Sequence, residues 1–211
     1  MSGEALRALL SLCAAVAAGD WEKRRAAMCV ADEILSPVEV EEALLQSYLF
    51  LGFPAALTAL AEWRDLSGTR PAPETDTADP EEWRLRGEAV CRTVYGRAYD
   101  KLRGNVRRVH PAMDDWMIQE GYGKVLARQG LDLETRELCI VAILSATGWE
   151  PQLHSHLRGA LHAGCSCSSV AEALEAGLAL VEDGTWRDDA RSLWKKVQCG
   201  YASRFEGDWE A

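Results

Sequence analysis

The sequence has little that would build a β-sheet and no excess of positive charge. Its Val, Ile and Thr residues do not gather in the alternating runs that are typical of strands. It carries 33 acidic against 23 basic side chains, which gives a formal net charge of −10. General affinity for nucleic acid or for an anionic membrane needs a basic face, so we expect neither as a partner.

Long apolar runs are scarce as well. The apolar stretch 8–18 is too short to span a bilayer. It follows Glu4 and one cation, Arg7, where a signal peptide would have a basic start. We therefore interpret it as the first helix of the fold, and no other stretch of the sequence approaches the length of a membrane span.

Several enzyme motifs are absent. We find no phosphate-binding loop, no nucleophile elbow and no dinucleotide-binding glycine pattern. None of the seven cysteines is spaced C-x-x-C, and Cys165 with Cys167 makes only C-x-C, a weak signal for metal or redox chemistry. An odd number of cysteines in a chain of this size predicts reduced thiols and a cytoplasmic location.

Helical signals, in contrast, run through the whole chain. Ser36 before Pro37 is typical of a helix start, and Asp132 is placed to cap a helix that contains Glu137. The pattern predicts an all-α fold. The predicted helices are 3–18, 20–34, 37–49, 53–66, 80–105, 110–128, 133–147, 151–163, 167–182 and 185–198.

A linker and an internal repeat organise these helices. Residues 67–80 hold three of the seven prolines and no large apolar residue, so they separate an N-terminal unit, 1–66, from a C-terminal unit, 81–211. Segments 35–51 and 165–181 align without gaps at an offset of 130 residues. The alignment predicts a duplicated helical unit.

Glu137 is the first candidate for chemistry. Residues 138–144 are apolar without interruption, so the helix is expected to be buried on most sides. A buried carboxylate is costly unless it is paired or protonated. A buried carboxyl group is therefore suited to act as a general acid or base. Its neighbours Glu134 and Arg136 are expected to be solvated surface charges.

His156 is the second candidate. It lies at the edge of the apolar stripe of the following helix, beside Ala160 and Ala163. A short turn through Gly148 makes the two helices antiparallel neighbours, so Glu137 and His156 can approach each other. The pair is either a proton-transfer unit or a structural hydrogen bond inside a helical core.

A polar face on the same helix carries His154, Arg158 and His162. Residues at i, i+4 and i+8 span too far for one metal ion, and no carboxylate accompanies them, so we predict no metal site. The face is expected to be solvated or to contact another subunit. His154 and Arg158 are weak candidates for binding a substrate carboxylate.

At these residues the sequence resembles the carboxymuconolactone decarboxylase family, which belongs to one superfamily with alkylhydroperoxidase D-like proteins. The matching text is YGKVLARQGLDLETREL (122–138), QLHSHLRGALHAGCS (152–166) and SSVAEAL (168–174). The glutamate and histidine of the family pattern correspond to Glu137 and His156. The resemblance is good over about residues 108–182 and weak in the first half.

The resemblance implies a duplicated all-α bundle, a homo-oligomer and a proton relay through Glu137 and His156. It implies a small-molecule substrate bearing carboxylates and no cofactor. The peroxidase branch has a C-x-x-C where this chain has Trp149 and Gln152, so a lyase is favoured over a peroxidase. At the offset of 130 the first half has Arg7 and Ala26, so it is expected to be a degenerate structural repeat.

Three functions remain open at this point. The first is a cofactor-independent, decarboxylase-like enzyme that uses the pair as a proton relay. The second is a non-enzymatic helical oligomer or ligand-binding protein that keeps the pair as structure. The third, which is disfavoured, is thiol redox chemistry at Cys139, Cys165 or Cys167.

Overall fold

A computed structural model describes residues 1–71, 73, 74 and 76–206 of the chain, with side chains as far as Tyr201. Residues 72 and 75 of the predicted linker and 207–211 of the predicted C-terminal unit lie outside the described residues. All regular structure in the described part is helical, which confirms the all-α prediction. The helices are α1 (Gly3–Ala18), α2 (Trp21–Ile34), α3 (Pro37–Ser67), α4 (Pro80–Tyr95), α5 (Tyr99–Val109), α6 (Pro111–Trp116), a π-helix (Met117–Leu126), α7 (Leu133–Thr147), α8 (Glu150–Ala163), α9 (Cys167–Leu178) and α10 (Gly184–Glu206).

The predicted helix starts are set by side-chain caps. Ser36 accepts a hydrogen bond from the backbone N–H of Glu39, whose carboxylate accepts one from the backbone N–H of Ser36. Asp132 accepts one from the backbone N–H of Thr135 at the start of α7. These caps satisfy donors that a helix start would otherwise leave unpaired, which is why the local pattern predicted them correctly.

Four predicted helices are divided differently in the structure, and two others end elsewhere: α9 ends at Leu178 instead of 182, and α10 extends to Glu206 instead of 198. The helices predicted at 37–49 and 53–66 are one kinked helix, α3. The helix predicted at 80–105 is broken by a 3₁₀ turn, Gly96–Ala98, into α4 and α5. The helix predicted at 110–128 changes from α6 into the π-helix after Trp116.

By length and composition, α3 is the one helix in the described part of the chain that passes as a candidate membrane span, contrary to the sequence-based expectation. Gly52 interrupts it with a φ of 78°, a conformation that favours glycine. Each half of 15 residues is about 22 Å long, against a bilayer core of about 30 Å. The first half also buries Glu42 and Gln46 within the protein, so we interpret α3 as a core helix.

Helix α7 occupies the centre of the molecule. It packs against α1, α3, α8 and α9, and residues 135–145 are all buried. One continuous apolar core contains side chains from both sides of the linker, such as Leu9 and Leu12 of α1 with Ile140 and Leu144 of α7. A polar group at any position from 135 to 145 is therefore removed from water, whichever face of α7 it lies on.

The helix boundaries bear on the predicted repeat. α1, α2 and α3 begin at residues 3, 21 and 37, and α7, α8 and α9 begin at 133, 150 and 167. These starts agree with the offset of 130 to within one residue. Similar boundaries do not by themselves establish a common origin, so the duplication and the division into units 1–66 and 81–211 stay predictions.

A close crossing joins α4 to the π-helix. A Cβ atom at Gly123 would overlap the backbone carbonyl of Trp83, and one at Gly87 would overlap the carbonyl of Ile118. The two backbones can approach this closely only because both positions lack a side chain. The crossing holds Tyr122 of the π-helix and Tyr95 of α4 edge to face, with ring centroids 6.2 Å apart.

We expect Gly123→Ala to lower the free energy of unfolding by about 2 kcal/mol, because overpacking a close contact forces the backbones apart. Chemical denaturation measures the change. Gly121→Ala is the matched control, since no atom lies within 4 Å of its added Cβ. Equal stability of the two variants would show that the crossing is not tight.

Candidate functional site

The α7–α8 hairpin brings the two predicted residues into contact. Gly148 ends α7 in a left-handed conformation, and α8 begins two residues later. Glu137 Oε2 then lies 2.9 Å from His156 Nδ1. Because a carboxylate can only accept, Nδ1 carries the hydrogen and Nε2 is left free to accept a proton.

Both groups of this Glu137–His156 pair are buried. Glu137 is 0% exposed and His156 is 7% exposed. Oε2 of Glu137 is bonded to the imidazole, whereas Oε1 has no hydrogen-bond partner among the described residues. Leaving a buried acceptor unpaired costs about 1–3 kcal/mol, so this pair is not a fully satisfied structural bond.

Gly159 makes room for the carboxylate. It lies one turn after His156 on α8, and a Cβ there would be 2.9 Å from Glu137 Oε2 and 2.6 Å from Val94 Cγ1. A side chain would push the carboxylate away from the imidazole. The glycine of the sequence H-x-x-G-A-L is therefore part of the site, although periodicity alone gave it no role.

We expect Gly159→Ala to weaken the contact between Glu137 and His156 and to lower the free energy of unfolding by about 1–3 kcal/mol through overpacking. The imidazole NMR signals of His156 and a denaturation curve report the two effects. Gly104→Ala on α5 is the control, since its nearest neighbour is an arginine tip at 4.0 Å. The prediction is wrong if His156 keeps its wild-type signals in Gly159→Ala.

Four further residues surround the pair and were not predicted. The ring of Phe50 on α3 meets the imidazole of His156 edge to face at 5.6 Å. Tyr95, Cys91 and Tyr122 lie close enough to Glu137 for its charge to affect their ionisation. They come from α3, α4 and the π-helix, so no pattern within the α7–α8 hairpin pointed to them.

These neighbours stay in their neutral forms. Burial raises the pKa of Tyr95 to about 12, and the charge of Glu137 adds to the rise. Burial likewise raises the pKa of the Cys91 thiol to about 12. Burial and the neighbouring Tyr95 raise the pKa of Tyr122 well above its ordinary value. Tyr95, Cys91 and Tyr122 therefore present hydroxyl and thiol dipoles, and no charge of their own, to Glu137.

His154 and Arg158 lie on another face of α8 from His156. Two residues along a helix correspond to a rotation of about 200°, and both side chains line a cavity of about 840 Å³ instead. This cavity, the α5–α8 cavity, lies between α8 and the segment from Val94 to Asn105. Its wall includes Tyr95, which also neighbours Glu137, but neither Glu137 nor His156.

Arg136 was expected to be a solvated surface charge, and that expectation is wrong. Its side chain is 0% exposed and donates to Glu42 Oε2 at 2.7 Å and to Gln46 Oε1 at 3.2 Å, both on α3. It also donates to the backbone carbonyl of Gln129 at 3.0 Å. Arg128 pairs with the same Glu42 at 3.0 Å, so two guanidinium groups share one buried carboxylate.

The candidate thiols are poorly placed for redox chemistry. Cys139 is buried beside Cys13, whose pKa is raised by a hydrogen bond with Cys139 and by burial. Burial raises the pKa of Cys165 to about 12, which disfavours the reactive thiolate. Cys167 is exposed. In the described part of the chain, no three His, Cys, Asp or Glu side chains are grouped as metal ligands.

Comparison with known proteins agrees with the resemblance predicted from the sequence. Residues 111–196, which include Glu137 and His156, match the model of the carboxymuconolactone decarboxylase family. The chain is also 28% identical over 152 residues to "Peroxisomal protein 2" of Schizosaccharomyces pombe, which covers 69% of this chain and 70% of that protein. The predicted family is confirmed over the matched segment.

Proposed function

We propose that this chain, whose residues 111–196 belong to the carboxymuconolactone decarboxylase family, is a cofactor-independent lyase. Its substrate would be a carboxylated, cyclic small molecule. Glu137 and His156 would relay a proton to or from that substrate. The observation that carries the proposal is the buried Glu137 carboxylate, with one oxygen on His156 and the other unpaired.

The chemistry needs one base and one source of protons. Glu137 accepts the Nδ1–H of His156, which fixes the tautomer and leaves Nε2 to take a proton from substrate or water. When a carboxylate leaves as CO₂, the electron pair of the broken C–C bond stays on carbon. The imidazolium returns its proton to that carbon, so atoms and charge balance without an oxidant.

The α5–α8 cavity supplies the positive charge that the relay pair lacks. We assign His154 and Arg158, which line it, to binding of the substrate carboxylate. Tyr95 connects the α5–α8 cavity with the Glu137–His156 pair, since it lines the cavity and neighbours Glu137. A substrate that reaches past Tyr95 would present its reacting carbon to His156.

The test is turnover of a panel of carboxylated lactones by the purified protein, with CO₂ release as the readout. Turnover without added cofactor supports the proposal, and loss of CO₂ release in Glu137→Gln assigns the relay. An intact protein that releases no CO₂ from any member of the panel would contradict the decarboxylase-like assignment.

A second function is favoured by a different observation. His156 is only 7% exposed. The pair lines neither the α5–α8 cavity nor a second cavity of about 240 Å³ between α8 and α10, whose wall includes Lys196 and Tyr201. These facts suit a helical oligomer or ligand-binding protein that keeps the pair as structure. Under that function Glu137→Gln lowers the melting temperature sharply, and no carboxylated small molecule raises it.

We also propose that the chain forms a homo-oligomer. Phe53 and Leu57, one turn apart on the second half of α3, are 63% and 61% exposed, which is costly for large apolar side chains left in water. Light scattering of the wild type and of Phe53→Ser tests it, and a monomeric wild type would rule it out. Cytoplasmic location is likewise a proposal; because the name of the relative points to peroxisomes, fractionation of cells must compare both compartments.

A further inference from the structure

The α5–α8 cavity concentrates positive charge in a chain whose net charge is −10. Arg97, Lys101 and Arg158 all line it, and no carboxylate does. None of the three makes an ion pair with a described side chain. Many other guanidinium groups of the described residues are paired with a carboxylate, as at Arg24, Arg64, Arg103, Arg128, Arg136 and Arg191.

Imidazole groups complete the polar wall. His162 Nδ1 lies 2.8 Å from the backbone carbonyl of Val94, so this nitrogen donates and the ring is fixed with Nε2 on its other side. His154 stands one turn before Arg158 on the same face. Ser155 and Asn105 add a hydroxyl and an amide to the lining.

The size of the cavity suits a small organic ion rather than a macromolecule. Its volume is about 840 Å³, within the range of about 300–1,000 Å³ typical of small-molecule sites. Guanidinium groups bind phosphate and carboxylate oxygens in pairs, and unpaired cations facing one another repel until an anion separates them.

We propose that the α5–α8 cavity is a binding site for a small polyanion, a molecule that carries at least two negative charges on phosphate or carboxylate groups. Arg97, Lys101 and Arg158 bind its charges, and His154 and His162 donate or accept hydrogen bonds beside them. The inference rests on the proposed function only for the identification of this anion as substrate. Binding itself needs no reaction at Glu137 and His156.

Proton linkage follows from the position of His154. Burial lowers its pKa, and the charge of Arg158 lowers it further, against a smaller opposing effect of Glu150. A bound anion favours the imidazolium, so binding takes up a proton and strengthens as the pH falls from 8 towards 6. The other titratable or charged groups that line the α5–α8 cavity or the second cavity with His154 are Tyr95, Arg97, Lys101, His162, Lys196 and Tyr201.

Calorimetric titration with two probes tests the site. Inorganic pyrophosphate represents phosphate ligands and citrate represents carboxylate ligands. The probe that binds with higher affinity shows which of the two anionic groups the site prefers. We expect binding that weakens as salt is added, because screening reduces the attraction. Absence of binding by both probes at millimolar concentration overturns the proposal.

Variants distinguish binding in the cavity from a general effect of the protein's charge. Arg158→Ala and the exposed Lys101→Ala should each weaken binding at least about tenfold. Arg25→Ala on α2 removes the same charge outside the cavity and should leave the affinity within about twofold, as expected of a distant, screened charge. His154→Gln should remove part of the pH dependence. Equal affinities of Arg158→Ala and Arg25→Ala would overturn the site.

Glu137→Gln distinguishes the two proposals. It should bind the probes like the wild type while losing CO₂ release. If the probes bind and no variant or substrate gives turnover, the lyase function fails and the anion site stands. If turnover occurs and neither probe binds, the lyase function stands and the anion site fails.

Discussion

Replacing His156 with alanine is expected to lower kcat/KM for decarboxylation of a carboxylated substrate by about 10²–10⁴-fold. This is the usual contribution of a general acid–base group. His156 contacts Glu137 through Nδ1 and keeps Nε2 as a second site for a proton. Initial rates of CO₂ release measure the effect. His110→Asn is the matched control, because His110 is exposed at the start of α6 and asparagine can replace it as a cap.

Glu137→Gln should give a loss of the same order with a different effect on stability. Glutamine keeps the shape and can still accept from Nδ1, but it cannot exchange a proton. It also removes a buried charge whose Oε1 has no partner, so the free energy of unfolding should stay the same or rise. Wild-type turnover in either variant would rule out the relay. A sharp loss of stability in Glu137→Gln would instead favour the structural role.

The second large effect concerns Arg136. Arg136→Met should lower the free energy of unfolding by about 3–5 kcal/mol, because it leaves the buried Glu42 with one guanidinium and frees the carbonyl of Gln129. Arg191→Met breaks an exposed pair with Glu175 and should cost at most about 1 kcal/mol. Urea denaturation compares the two variants.

A double variant tests the cause. Glu42→Gln removes the buried charge that Arg136→Met leaves with Arg128 as its one guanidinium partner. Arg136→Met with Glu42→Gln should therefore lose less stability than the sum of the two single variants. Additive losses would show that Arg136 acts through packing of its carbon chain and not through Glu42.

Much of the fold was accessible because the signals are local. Ser36 with Glu39 and Asp132 with Thr135 are contacts three residues apart, so the sequence contains both partners within one turn. The approach of Glu137 to His156 was also predictable, since a short turn after an apolar helix returns the chain antiparallel. Glu137 and His156 are only 19 residues apart in the sequence, so the contact could be predicted from one helical hairpin.

The remainder of the site depends on contacts between distant segments. Arg136 meets Glu42 across 94 positions of the chain, and nothing in the pattern of α7 shows that α3 covers its polar face. Tyr95 and Tyr122 meet beside Glu137 from two further segments, where Gly87 and Gly123 let α4 and the π-helix approach closely. The change to a π-helix after Trp116 has no signal that we recognise in the sequence.

The contact between α3 and Arg136 also limits how the chain can be shortened. Removal of residues 1–66, by a protease or by a later start of translation, would take away Glu42, Gln46 and the α1 surface against α7. The remaining fragment would expose apolar side chains around an uncompensated guanidinium. Cells would meet it as a target for chaperones and degradation, although it would still contain the whole family-matched segment and both residues of the relay.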